Sequence, residues 1–282
     1  MSAKFGPGGS CEAFKAAGGR STLQAPGYIR KRGLDAYEYE AGNGLSASEA
    51  LLAALGLKAK EHNISVSFHT PYFISLSSVE REKRIKSVEY IRQSAYASKL
   101  LDANIMVVHC GSCAKISRET AMEYAAETLT DAAQMLEDNG FKPLLGIETM
   151  GKVNQLGTLD EVLTLCKISD KFAPVVDFGH LNAREQGWFK SLEDFERVFD
   201  TIENELGADS LRVFHSHFSK IEYTTGGEKK HLTFEDKVYG PDFEPVMEIV
   251  ARKNCSPIFV CESDGTQAED AKAMKDHYLS LI

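Results

Sequence analysis

The sequence is short of covalent staples and has no run long enough to span a bilayer. Its six cysteines, at 11, 110, 113, 166, 255 and 261, are scattered over 282 residues, unlike the dense set of a disulfide-framed domain. Reduced, cytoplasmic usage is expected. No apolar stretch approaches the roughly 18 residues that a membrane crossing needs, and the opening MSAKFGPGGSCEAFKAAGG has no apolar signal core. No Pro- or Ser-rich linker and no compositional break divides the chain, so a single domain over residues 1–282 is expected. Basic residues are outnumbered, 32 Lys and Arg against 41 Asp and Glu, for a formal net charge of −9. That argues against general affinity for nucleic acid, which Lys and Arg carry, but leaves room for a phosphate site built on metal ions.

What is present is a repeated oddity. Six apolar runs each stop on a metal-binding or acid/base residue: ISVSF before His69, IMVV before His109, PLLGI before Glu148, PVV before Asp177, LRVF before His215 and IFVC before Glu262. A buried strand has a folding reason to be apolar, but none to end on His, Asp or Glu. Strand starts are expected near Lys4, Ala36, Ile64, Ile105, Pro143, Pro174, Leu211 and Pro257, at a spacing that suits βα units. Helices are expected between them. Ser77-x-x-Glu80, Thr158-x-x-Glu161 and Thr266-x-x-Glu269 have the capping-box pattern, and Leu51–Ala59 and Glu119–Glu137 carry helical periodicity. Eight such units make an α/β protein, a (β/α)8 TIM barrel, with the six ligand-type side chains gathered at the C-terminal ends of its strands. An open doubly wound sheet has the same rhythm but would hold six strand ends too far apart to converge.

In Asp177-Phe-Gly-His180 the Asp ends a strand and the His follows in the loop, a spacing that lets them ligate neighbouring ions, or one ion and a substrate. In Phe214-His215-Ser216-His217 both imidazoles share a face of the strand; His215 is the expected ligand and His217 the expected orienting donor behind it. Glu148 and Glu262, the expected catalytic carboxylates, need partners at the ends of apolar runs, which bound cations or a basic side chain would supply. Glu228-Lys-Lys-His231 lies in a polar loop, as either a further ligand pair or a solvated charge run. Cys110-Gly-Ser-Cys113 has no second C-x-x-C to complete a thiolate site and is expected to shape the loop after His109. The donor set of nitrogen and oxygen suits Zn or Mn, and nine candidates exceed the needs of one ion. A cluster of two or three ions activates a water and clamps phosphoryl oxygens.

The stretches FHTPYF, VVHCGS, GIETMGK, VVDFGHLNA, FHSHFSK, GGEKKHL and VCESDG, from about residue 64 to 265, resemble the endonuclease IV family of apurinic/apyrimidinic endonucleases, within the xylose-isomerase-like barrels. The resemblance implies two or three zinc ions, or manganese, at the barrel mouth. His69 and His109 would hold the first and Glu148 would bridge first and second. Asp177, His215 and Glu262 would complete the second, and His180, Glu228 and His231 the third. It implies hydrolysis of the phosphodiester 5′ to an abasic site in DNA by metal-bound hydroxide, with Tyr72 and Phe73 at the abasic gap. Three features depart from the family pattern: Glu-x-x-His stands for Asp-x-His with Lys230 intervening, His217 stands for an Asn, and YEYEAGNGLS lacks an Arg that would enter the DNA. The competing expectation is a one-metal ketose isomerase or epimerase on the same barrel, using Glu148, Asp177, His215 and Glu262. A metal-loaded binding protein fits less well, because an open multi-ion site is a hydrolytic arrangement.

Overall fold

The computed structural model describes residues 2–212, 214–253 and 255–282. Eight strands lie parallel in one sheet: β1 (Lys4–Pro7), β2 (Ala36–Glu40), β3 (Ser65–His69), β4 (Ile105–His109), β5 (Leu144–Glu148), β6 (Phe172–Asp177), β7 (His215–Phe218) and β10 (Ile258–Cys261). Sequential neighbours pair from β2 through β7; β10 then joins β7 to β1. The first and last strands of this order meet through a parallel bridge between Gly8 and Glu38 and a hydrogen bond from the Asp35 amide to the Phe5 carbonyl. The sheet is thus a nearly closed TIM barrel with helices between the strands. A short antiparallel hairpin, β8 (Lys220–Thr224) with β9 (Gly227–Leu232), follows β7 and sits over the mouth.

Alternation sorts each strand. Outward residues such as Phe68, Met106, Val108, Leu145, Ile147 and Val176 pack into the main core beneath the helices. Inward residues Ile105, Val107 and Val175 form a small cluster inside the barrel. Two residues further along β4 and β6, on the same inward face, stand His109 and Asp177. The apolar runs therefore stop on ligand-type residues where the inner face rises from its packed layer to the open mouth.

The helices behave much as their caps suggest. Thr158 and Glu161 form the expected capping box on α6 (Leu159–Cys166), and the expected periodic stretches lie in α3 (Glu49–Glu61) and α5 (Arg118–Asp138). Two of the expected boxes do not form. The helix α4 (Arg81–Leu101) begins only after Glu80, and Thr266 gives no cap to α11 (Gln267–Ser280), its hydroxyl bonding Asp270 instead. One strand start also differs. Asp209–Arg212 is a helical turn, so β7 begins at His215 rather than near Leu211. His215 opens its strand instead of closing it.

Closure of the barrel depends on Gly6. A Cβ there would lie 1.7 Å from the Ala36 carbonyl oxygen, where no flexible side chain can give way. Gly6→Ala is expected to destabilise the fold by at least about 3 kcal/mol, read as a fall in the midpoint of denaturant unfolding. An unchanged midpoint would show that β1 and β2 do not approach this closely.

Candidate metal centre

The register explains which side chains meet. His109 is level with Glu148 across β4 and β5, and Asp177 is level with His217 across β6 and β7. His215 is level with Val175, one inward layer below the mouth. The register thus places His217 at the mouth, where the sequence leads one to expect His215, with His215 one layer below. His217 groups with Glu148, Asp177 and Glu262, all ligand atoms within 4.8 Å of one another. His215 lies underneath, its Nε2 2.9 Å from Glu38 Oε2.

Glu148 is the hub. Its Oε2 lies 3.5 Å from His69 Nε2 and 3.2 Å from His109 Nε2, and its Oε1 2.8 Å from His217 Nδ1 and 3.5 Å from His180 Nδ1. Burial would raise its carboxyl, but His217 above all, with the close imidazoles of His109 and His180, holds it well below the usual range. Asp177 caps α7 (Phe178–Arg184): Oδ1 accepts from the His180 amide at 2.7 Å, as a carboxylate at a helix N-terminus does. Its other oxygen, Oδ2, is free for the site.

A third group forms from His180, Glu228 and His231. The Glu-x-x-His spacing works because β9 is bulged. Tyr223 pairs with Glu228 and Glu222 with Lys230, so Lys229 is the extra residue. The bulge brings two residues three apart onto one side of the strand. Lys229 and Lys230 turn away to Glu222, at 2.6 and 3.9 Å, so Lys230 does not intrude. Gly227 lets the hairpin reach the loop after β5: its φ is +89°, and a Cβ would sit 2.2 Å from the Gly151 carbonyl. The Glu228 amide donates to that same carbonyl at 3.0 Å. Arg184, buried, pins this loop by donating to the carbonyls of Met150, Lys152 and Gln155.

Do these residues fit cations? The imidazoles are set as metal-binding ones usually are. His69 Nδ1 meets the Thr70 carbonyl and His180 Nδ1 the Thr149 carbonyl, both at 2.9 Å, which leaves each Nε2 turned to the site. Among the described residues, Glu148 Oε2 and Asp177 Oδ2 are buried oxygens with no hydrogen-bond partner, a costly state that a bound cation would relieve. The donors fit, and their nitrogen–oxygen chemistry suits Zn or Mn.

Electrostatics around the hub are strained without cations. Burial depresses His69, but Glu40 and Glu148 outweigh it and raise it to about 10. His180 and His217 are likewise held well above the ordinary range against burial, His180 first by Asp177 and His217 first by Glu262. Burial lowers His109, His215 and His231. Burial also pushes Glu262 up to about 8 and Glu40 up to about 7.

The cleft over the hub encloses about 320 Å³ and is lined by Lys152, Gln155 and the ligand-type residues. A neighbouring hollow of about 490 Å³ shares Tyr72, His231 and Glu262 with it and adds Glu40 and Asn43. Tyr72, half exposed, lays its ring against His109 at 5.3 Å, and its hydroxyl lies 3.5 Å from Glu40 Oε2. Phe73, equally exposed, packs on Tyr90 of α4 at 4.8 Å. A larger cavity, about 680 Å³, opens at the strands' N-terminal ends near Ile105, Leu144 and Phe172, with His215 in its lining. Cys110 is a free, buried thiol that donates to the Glu148 carbonyl, and Cys113 is free and half-buried. Both belong to the loop after β4. His62 and His277 lie at helix ends away from the site and are half-buried.

Two residues at the site escaped the sequence reading. Glu38 and Glu40 stand on the inward face of β2, Glu38 fully buried beneath His217. The alternation Ala-Tyr-Glu-Tyr-Glu was their signal.

The match that decides the relationship covers almost the whole barrel: residues 27–279 fit the family model described as xylose isomerase-like TIM barrel. The chain belongs to the xylose isomerase-like TIM-barrel family. Within the family it is 30% identical over 253 residues to an uncharacterised protein of Methanocaldococcus jannaschii, covering 90% of each chain. It is 27% identical over 161 residues to a "probable endonuclease 4" of Acholeplasma laidlawii, covering 56% of this chain and about half, 53%, of that one. Among solved structures, endonuclease IV from Thermus thermophilus superposes with a TM-score of 0.69 at 17% identity, covering 99% of this chain and 100% of the other. A D-tagatose 3-epimerase-like protein gives 0.71 at 19%, covering 99% and 97%. The fold is thus shared with an endonuclease and with an epimerase-like protein.

Proposed function

We propose that this chain is a metal-dependent phosphodiesterase of the endonuclease IV type, cutting the DNA backbone 5′ to abasic sites. The observation that carries the reading is the convergence of three ligand groups on one hub. His69 and His109 reach one oxygen of Glu148; Asp177, His217 and Glu262 gather around the other; and His180, Glu228 and His231 close the far side. Each group would hold one divalent cation, with Glu148 between the first two. The chemistry such bound cations supply is a lowered water pKa and neutralised charge on phosphoryl oxygens.

The chain's own residues prepare that chemistry. The Thr70 and Thr149 carbonyls hold the His69 and His180 rings in one tautomer. Burial favours the protonated form of Glu262, and a cation held there would favour the carboxylate. Tyr72 roofs His69 and His109, presenting an aromatic face where an extrahelical sugar would enter. An abasic nucleotide leaves the stack at low cost, having no base to unstack. Lys152 is the basic residue lining the cleft, placed to meet a phosphate.

His109 discriminates this reading best, because a one-metal site has no need of it. It is at the rim, with its side chain 18% exposed, so its removal leaves the packed interior alone. His109→Ala is expected to reduce nicking of a duplex with a single abasic site, in added Zn or Mn, by about 100-fold or more. Full activity in this variant would remove the first cation from the account.

A second reading, a one-metal ketose epimerase, is favoured by Glu40. A second carboxylate at the rim, beside the Tyr72 hydroxyl, suits an uncharged polyol better than a phosphodiester. Glu148, Asp177, His217 and Glu262 would then hold the single cation, and proton exchange next to a ketose carbonyl would replace nicking.

A further inference from the structure

Beneath the hub lies a buried trio of which the proposed chemistry uses only His217: Glu38 on β2 with His215 and His217 on β7. All three side chains are essentially sealed from solvent. Glu38 Oε1 lies 2.8 Å from His217 Nε2, a close ion pair whose two atoms make no aligned hydrogen bond, to each other or to any other group among the described residues. Glu38 Oε2 meets His215 Nε2 at 2.9 Å. The other nitrogen of His217, Nδ1, points up into the hub, 2.8 Å from Glu148 Oε1 and 3.4 Å from Glu262 Oε1.

We infer that Glu38, braced by His215, is a positioning residue that keeps the His217 proton on Nε2 and so offers Nδ1 as a ligand to a cation among Glu148, Asp177 and Glu262. The inference rests on the cation-site reading proposed above. An imidazole can ligate only through an unprotonated nitrogen, and which nitrogen that is depends on what the other one donates to. A carboxylate buried directly behind the ring fixes the choice and the ring's angle together. His215 supplies the second brace. Its N–H occupies the far oxygen of Glu38, so the carboxylate cannot turn away from His217.

The test compares zinc binding in wild type, Glu38→Met and Glu38→Gln by chelator competition, with the number of ions at saturation counted. Met removes both accepting oxygens at similar volume; Gln retains one. Glu38→Met is expected to weaken one ion by about 10- to 100-fold while sparing the others, and Glu38→Gln to recover most of that loss. A residue that served packing alone would not give a loss confined to one ion and rescued by Gln. If Glu38→Met fails to fold, His215→Asn takes its place and is expected to weaken the same ion by less. Unchanged affinities in a folded variant would overturn the inference while leaving the cation site standing. Failure of wild type to hold an ion that needs His217 would overturn both. An additional ion lost only in His215→Asn would also overturn the inference, since the trio would then be a site in its own right.

Discussion

Glu148→Gln is expected to lower cleavage of an abasic-site duplex by on the order of 10³-fold or more while the barrel stays folded. In the proposed site Glu148 would serve two cations at once, and electrostatic stabilisation by such ions is worth several kcal/mol, at about 1.4 kcal/mol per tenfold in rate. Gln has the same shape but no charge, and its amide group presents N–H where a ligand oxygen stood. Its neighbours also lose their anchor: His69, His180 and His217 are all held protonated in part by Glu148. Single-turnover cleavage at saturating Zn or Mn reads the loss, and circular dichroism checks the fold. A folded Glu148→Gln that retains activity within about tenfold of wild type would contradict a bridging role.

The metal-free protein is expected to lose stability as pH rises from 7 to 9.5, and the metal-loaded protein to resist that loss. The sign follows from the raised groups. His69, near 10 in the folded chain, binds its proton more tightly than the unfolded chain does, so its contribution is full below about pH 6.5 and is lost as pH climbs toward 10. His180 and His217, also raised, act in the same direction. Glu262, raised to about 8, adds to the decline between its ordinary value and pH 8. The lowered carboxylates Glu38 and Glu148 contribute only in acid, and the lowered His109, His215 and His231 only below about pH 6.5, so neither set offsets the trend. Each group that stays protonated when its unfolded counterpart does not costs about 1.4 kcal/mol per pH unit, or roughly 3 °C in melting temperature for a chain of this size. Cations reverse the balance, because they bind the deprotonated ligands and compete better as protons thin out. Melting curves with chelator and with Zn, at pH 7 and 9.5, check both halves. A metal-free protein that gains stability over this range would show that the hub is not the charged cluster described.

The strand ends were legible because a buried, alternating strand has no reason of its own to finish on a charge. Parity along each strand was legible too, which is why His69, His109, Glu148, Asp177 and Glu262 stand at the mouth. Depth was not. His215 and His217 share an inward face, and only the pairing of His217 with Asp177, and of His215 with Val175, tells which one reaches the hub. The apolar Leu211 belongs to a helical turn, not to the strand that its apolar neighbours suggest. Glu228 and His231 were ambiguous at a spacing of three because a bulge is a tertiary event, recorded in the partner strand rather than in the spacing. Glu38 was hidden for a different reason. It lies mid-strand, where its significance comes from two imidazoles that β7 brings from far along the chain, His215 being 177 residues away.

The most direct test of a multi-cation phosphodiester site is elemental analysis of the native protein, paired with an abasic-duplex nicking assay on the same sample. The account predicts two or three Zn or Mn ions per chain and a single cut 5′ to the abasic site that leaves a 3′-hydroxyl. One ion per chain, with no cut in added Zn or Mn, would contradict it and leave the ketose reading in its place.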